Sequence, residues 1–315
     1  MPRFHERRVQ QLRGSSYVIT LPKEWVEECG LRKGSAVTII ADREFLRVVP
    51  SGRRLTFQLA VDADLLSDLM EDVVIACYEA GVSSVRVHTR QGKAEELMTR
   101  SRRLRERLQG MFTTLESEGS ITVEISGDPF RSVEQALSVT LQSLVRALRR
   151  VESDLSAGRN IGPELEDLLK DCAGYASTLK RMVSQMVAVP DEQTPFYAIS
   201  ALMEASSNMA YLVREVEESV ITLGRQELAS LIHLAEVLDQ LSGLVVELRN
   251  SVVVDQLMDL VQTLREVGRK AGPRPLLRRA EDLMRALIKL NALMVIASEG
   301  RTGQVSHGPT WPSTT

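Results

Sequence analysis

The sequence predicts a multidomain α+β protein: a small β-module, a small α/β module, and a predominantly antiparallel helical bundle. Three observations carry that class. Residues 7–49 hold β-branched runs separated by glycine and proline breaks. Residues 55–126 switch between strand-like and helix-like patterns. From Asp128 onward, apolar residues recur at steps of three and four. Aromatics make up 4% of a chain that is 43% hydrophobic, a mix that suits helix-on-helix packing better than a large β-sandwich.

The first module spans residues 1–50. Val9 and Leu12 lie in a first, basic strand that Gly14-Ser15-Ser16 interrupts. Tyr17 to Leu21 is a run of high strand preference. Pro22 opens a short helix over Lys23–Cys29, and Gly30 ends it. Ala36–Ala41 and Phe45–Val49 form a hairpin around Asp42-Arg43-Glu44. Pro50 to Arg54 reads as a linker.

The second module spans residues 55–126. Its segments are a strand Leu55–Val61, a helix Asp62–Ala80 closed by Gly81, and a strand Ser84–His88. A basic amphipathic helix Gly92–Gln109 follows, then a hairpin of Met111–Leu115 and Ile121–Ile125. This β-α-β-α-β-β order implies an open sheet with helices packed on it.

Residues 128–298 read as helices throughout. Val133, Leu137, Leu141, Leu144, Leu148 and Val151 form the first apolar series, and Leu165, Leu168, Cys172, Tyr175, Leu179 and Met182 the second. Breaks fall at Gly158–Gly162, Pro190–Pro195, Gly224, near Arg249-Asn250-Ser251, and at Gly272-Pro273. Six helices result, enough for two three-helix units laid side by side, with short loops that make neighbours antiparallel. The Gly/Ser/Thr/Pro-rich tail, residues 299–315, is expected to be disordered.

No uninterrupted apolar stretch reaches the roughly 18 residues of a membrane span, so no membrane insertion is expected. The charged start, MPRFHERRVQQLRG, lacks the apolar core of a signal peptide, which points to the cytoplasm. Cys29, Cys77 and Cys172 lie far apart and read as buried thiols in a reducing compartment. The four histidines are scattered, and no glycine-rich phosphate loop or nucleophile–base spacing is present. The expectation is therefore a protein that is not an enzyme and needs no cofactor.

Charge is unevenly distributed. Residues 1–54 hold 11 of the chain's 39 Lys/Arg and 6 of its 42 Asp/Glu, leaving 28 against 36 for the remainder. A basic module on an acidic body predicts a polyanionic partner for the module alone. The candidates for contacting it are Arg3, Arg7, Arg8, Arg13 and Lys23, whose cations neutralise phosphates, and Ser15 and Ser16, whose hydroxyls donate to phosphate oxygens. By charge alone, a solvated strand whose arginines protect a sheet edge is an equal reading.

A resemblance separates the two. The run RRVQQLRGSSYVITLPKEWVEECGLRKGSAVTI resembles the AbrB/SpoVT swapped-hairpin domain over almost the whole module. That resemblance implies an intertwined homodimer in which strands of two chains build one β-barrel. It also implies contact with double-stranded DNA through basic residues of the first strand and adjoining loops. Lys23, Lys33 and Gly34 fall on its motif, and Leu21, Trp25, Val26, Leu31 and Val37 on core positions.

Residues 130–298, with the phrase Leu202-Met203-Glu204-Ala205-Ser206-Ser207-Asn208-Met209-Ala210, resemble PhoU-family bundles. The two together resemble the archaeal phosphate uptake regulator family. PhoU proteins often bind metal clusters through E/D-x-x-x-D motifs. Here Glu204 matches a first acid, but Asn208 replaces the second. Ala173 and Ser177, and Met284 and Ile288, stand at the matching positions of other helices. Losing those carboxylates removes both charge and ligand oxygens, so no metal is expected. The implied function is DNA-binding control of phosphate uptake or homeostasis, with the bundle as sensor or as dock for a phosphate ABC transporter or signalling protein. The alternative is a cytoplasmic adaptor that docks on such a partner without touching DNA.

Overall fold

A computed structural model of the chain describes residues 5–12, 16–41, 46–50, 58–66, 69–90, 94–127, 129–159, 162–188, 194–220, 228–270 and 274–302. Its contacts separate into two compact units, Met1–Arg54 and Leu55–Thr315.

The first unit holds two antiparallel strand pairs and one short helix. Strands β1 (Gln10–Gln11) and β2 (Tyr17–Val18) pair with Gln10 opposite Val18. Helix α1 (Lys23–Glu28) follows Pro22, whose carbonyl accepts the amide of Val26 at 3.1 Å. Its end is set by Gly30 at φ +62°, where a side chain would be strained. There the amide of Leu31 reaches back to Val26 and that of Gly30 to Glu27, the double bond of a Schellman cap. Strands β3 (Val37–Ala41) and β4 (Leu46–Pro50) form the expected hairpin, whose turn lies outside the described residues.

Two expectations for this unit need correction. Tyr17 to Leu21 was to be one strand, yet only Tyr17 and Val18 have a ladder partner. Strand preference alone does not hold Ile19 to Leu21 without a neighbouring strand. Leu21, Trp25, Val26, Leu31 and Val37 were to be core, yet each is half-buried, and so is Cys29. Two-stranded sheets cannot enclose a side chain from both sides.

The second unit opens with a four-stranded sheet. Strands β5 (Gln58–Asp62), β6 (Ser84–His88), β7 (Met111–Ser117) and β8 (Ser120–Ile125) lie in the order β5-β6-β8-β7. The β5–β6 pair is parallel and the others antiparallel. Helices α3 (Met70–Glu79) and α4 (Ala94–Arg107) cover one face. Val61, Val85, Val87, Ile121 and Val123 share a core there with Met70, Val74, Leu97 and Leu104. The alternate residues Arg86, Phe112, Thr114 and Glu124 stay exposed, as period-two alternation requires of a sheet covered on one side. The helix expected from Asp62 instead begins at Ala63, in a short α2 (Ala63–Leu66), and residues 67–68 before α3 are outside the described set. Asp62 closes β5, and its carboxylate accepts the amide of Asp64 at 3.0 Å. A short acidic side chain that bonds backbone two residues on favours the helix boundary over the interior.

Six helices complete the unit among the described residues: α5 (Val133–Ser156), α6 (Pro163–Ala188), α7 (Phe196–Val220), α8 (Leu228–Leu244), α9 (Val253–Lys270) and α10 (Arg274–Thr302). Ser132 caps α5, its hydroxyl accepting the amide of Gln135 at 3.1 Å, while the Gln135 side chain accepts from Arg131 at 2.8 Å. Cross-links fix the directions. Arg249 meets Glu134, Ser138 donates to the Ser242 carbonyl, and Arg149 meets Asp239, so α5 and α8 are antiparallel. Lys289–Glu204 and Arg279–Glu215 show the same for α7 and α10. The sequential sets α5-α6-α7 and α8-α9-α10 pack on each other through α5–α8 and α7–α10. One apolar core runs through all six, so the two sets are not separate bundles.

Helix α10 continues to Thr302, past Gly300, which the sequence had assigned to the tail. A single glycine costs a helix only about 1 kcal/mol, which a long packed helix absorbs. Residues 303–315 lie outside the described set. One segment, Leu228–Glu247, does have the length and apolarity of a membrane span, contrary to the sequence expectation. Within it, Leu231, Leu234, Leu238 and Leu241 are buried in the shared core, which is how a core helix of a helical bundle reads.

A polar seam joins the sheet module to α6. Arg181 is only 3% exposed, and its guanidinium donates to the carbonyls of Tyr78 (3.1 Å) and Val82 (2.8 Å), at the C-terminal end of α3. It also lies over the Tyr78 ring, 5.2 Å from the centroid. A cation there meets the negative end of the helix dipole. The Tyr78 hydroxyl bonds the Gln109 carbonyl at 3.0 Å and Thr178 at 2.9 Å, and Glu79 takes Ser177 and Lys180. Gly174 lets α6 touch the end of α4: a Cβ there would lie 2.4 Å from the Arg107 carbonyl oxygen. Burial pushes the Cys77 thiol up and the Cys172 thiol to about 11, which keeps both protonated and unreactive.

Candidate nucleic-acid interface

Arg7 and Arg8 sit in the segment that leads into β1, and both are exposed. Arg7 makes one local bond, 3.1 Å to the Glu6 carbonyl. Arg8 makes no ion pair among the described residues, so its guanidinium is available to a ligand. Ser16 stands directly before β2, exposed, with its carbonyl accepting the Leu12 amide at 3.0 Å. The β1–β2 pairing therefore brings Arg7, Arg8 and Ser16 onto one small hairpin.

Lys23 is on α1 instead. It lies 3.6 Å from Glu27 one turn on, with both side chains largely exposed. Such a pair contributes well under 1 kcal/mol and leaves the ammonium free to exchange partners. No hydrogen bond or ion pair links Lys23 to the hairpin among the described residues. Arg3, Arg13 and Ser15 lie outside the described residues. Lys33 and Gly34 occupy a turn in which the Ser35 amide reaches the Arg32 carbonyl at 2.9 Å and the Ser35 hydroxyl accepts from Arg32 at 2.8 Å. Their place in the motif is thus accounted for by turn geometry.

The feature that sequence reasoning passed over is the apolar surface beside these cations. No described residue of the first unit is fully buried. Val9 (64%), Leu12, Tyr17 (68%), Ile19, Ile39 and Leu46 are exposed within a single chain. The signal was present in the alternation of the strands, but alternation does not tell solvent from a second subunit.

The described positions of the degraded metal motif, with Glu204 and Asn208 its weak remaining candidates, are engaged otherwise. Glu204 pairs with Lys289 at 2.6 Å, and the Asn208 amide donates to the Asp282 carbonyl at 3.2 Å. Met284 is in the apolar core, and Ser177 donates to Glu79.

Residues 10–56 match a protein-family model described as antidote-toxin recognition MazE, bacterial antitoxin. That stretch is similar to MazE/AbrB-type antitoxin domains, of the swapped-hairpin kind. The match does not extend to the sheet module or the helices. No curated protein and no solved structure matches the chain at a significant level.

Proposed function

We propose that the chain is a homodimeric DNA-binding regulator of phosphate uptake or homeostasis, working in the cytoplasm and without enzymatic activity. The observation that carries the DNA-binding part is the first unit. None of its described residues is fully buried, six large apolar side chains are exposed, and Arg7 and Arg8 have no ion pair among the described residues. A module this small needs further apolar burial to be stable, and a second copy of the same domain supplies a self-complementary face. The cations of both copies then flank one another and neutralise phosphates of a duplex.

The phosphate part rests on the resemblance of residues 130–298 to PhoU bundles and on the six antiparallel helices that follow the sheet module. In this reading the helical unit docks a phosphate transporter or a signalling protein. A signal reaches DNA only if it changes the relative stability of two arrangements of the dimer. The matched family's description speaks of toxin recognition; we read the domain here as the DNA-holding half of a longer chain. The adaptor reading draws on Tyr197, Met203 and Tyr211, which are exposed on α7, the last with Arg279 over its ring.

The test is duplex binding by the full chain across a salt series. Arg8→Ala is expected to weaken binding at every sequence and to lower the slope of log K against log salt by about one unit. A variant indistinguishable from wild type at all salt concentrations refutes the assignment of Arg8. A wild-type chain that leaves DNA unbound at low salt favours the adaptor.

A further inference from the structure

We infer that α4 carries a second phosphate-contacting surface for DNA, made by Arg102, Arg103 and Arg105. The inference rests on the DNA-binding reading above and extends it from the N-terminal domain to the second unit. Leu97, Ser101, Leu104 and Leu108 are buried at steps of four and three, which fixes how α4 is rotated on its sheet. Arg102, Arg103 and Arg105 are therefore directed to solvent, and all three are exposed.

Many arginines elsewhere in this acidic unit are paired, although Arg131, Arg146 and Arg278 are singly exposed with no ion pair among the described residues. Arg86, Arg149, Arg150, Arg249, Arg265 and Arg285 each hold a carboxylate within 3.2 Å. Glu281 takes two of them; although burial alone would raise its carboxyl, Arg265 and Arg285 hold it below the usual range. On α4 itself, Arg100 is committed to Glu71 at 3.1 Å, and Arg107 lies 3.9 Å from Glu217. Arg102, Arg103 and Arg105 have no ion pair among the described residues, and Glu106 is the one acid within their turn. Three unneutralised guanidiniums within four residues, on a unit whose net charge is negative, form a local positive patch with a fixed direction.

The complementary occupant is a polyanion with regularly spaced oxyanions, to which guanidinium forks bind in two-toothed fashion. Duplex DNA held by the N-terminal domain of the same chain meets that description at high effective concentration. A neighbouring cleft of about 180 Å³ shares Arg105 with this surface. It is also lined by Glu106 and Asp171 beside Arg107 and Lys170, so the proposed contact is the exposed face of α4 and not the cleft.

The experiment compares the full-length wild type with R102Q/R103Q/R105Q and with R102K/R103K/R105K, on a mixed-sequence duplex across a salt series. The glutamine variant is expected to flatten the salt slope by about two to three units, and the lysine variant to restore most of it. All three proteins should melt together, because the altered side chains are exposed. Wild-type binding with a slope untouched by the glutamine variant overturns this inference and leaves the N-terminal interface standing. A wild type that binds no duplex overturns both.

Discussion

Arg181→Leu is expected to destabilise the second unit by about 3 kcal/mol and to detach the sheet module from α6. Two effects compete. Removing the guanidinium relieves the cost of holding a charge away from water. It also leaves the Tyr78 and Val82 carbonyls, which it bonds at 3.1 and 2.8 Å, without that donor at the end of α3. The Tyr78 carbonyl keeps the Gly81 amide at 3.0 Å, so the unmatched acceptor is Val82, at a cost of about 1–3 kcal/mol, and the Tyr78 ring loses the cation above it. The second effect wins because leucine cannot donate and fills the space imperfectly. For a unit this large the loss corresponds to roughly 6–12 °C in melting temperature. Thermal and urea unfolding measure it directly, and a shift within about 0.5 kcal/mol of zero contradicts the account of the seam.

Gly174→Val carries the second large effect. A Cβ at this position would lie 2.4 Å from the Arg107 carbonyl oxygen and 3.5 Å from its carbon. Both atoms are backbone, so relief requires the end of α4 to move off α6. Overpacking of this kind costs about 1–3 kcal/mol for a methylene, and valine adds two more carbons to the clash. Its control is Gly243→Ala near the end of α8, where the added carbon meets nothing within 4 Å. That change should stabilise the protein by up to about 1 kcal/mol. Equal unfolding midpoints for the two variants would contradict the close approach of α4 and α6.

Much of the helical half was legible because its period is strong. Val133, Leu137, Leu141, Leu144, Leu148 and Val151, one series in the sequence, are all buried on one face of α5. The order β5-β6-β8-β7 was not legible, since pairing between strands far apart in sequence leaves no mark on either strand. Nor were Arg181, Asp154 and Asn291, which composition places on the surface and the fold buries. Asp154 is matched by Arg150 and Arg159, and Asn291 donates to the Leu248 and Asn250 carbonyls. Such residues are buried only because a partner from a distant segment meets them. In the first unit, Arg7 and Arg8 were legible from charge. The exposed faces of Ile39 and Leu46 were not, because a strand that waits for a second chain has the same alternation as one with its own core.

Pairing through the first unit is tested most directly by the mass of the full chain in solution, measured by sedimentation. The expected mass is twice the 35.0 kDa of one chain, falling to 35.0 kDa when Ile39→Asp and Leu46→Asp are introduced together. A wild-type protein that sediments at 35.0 kDa at every concentration, or a double variant that stays paired, contradicts it.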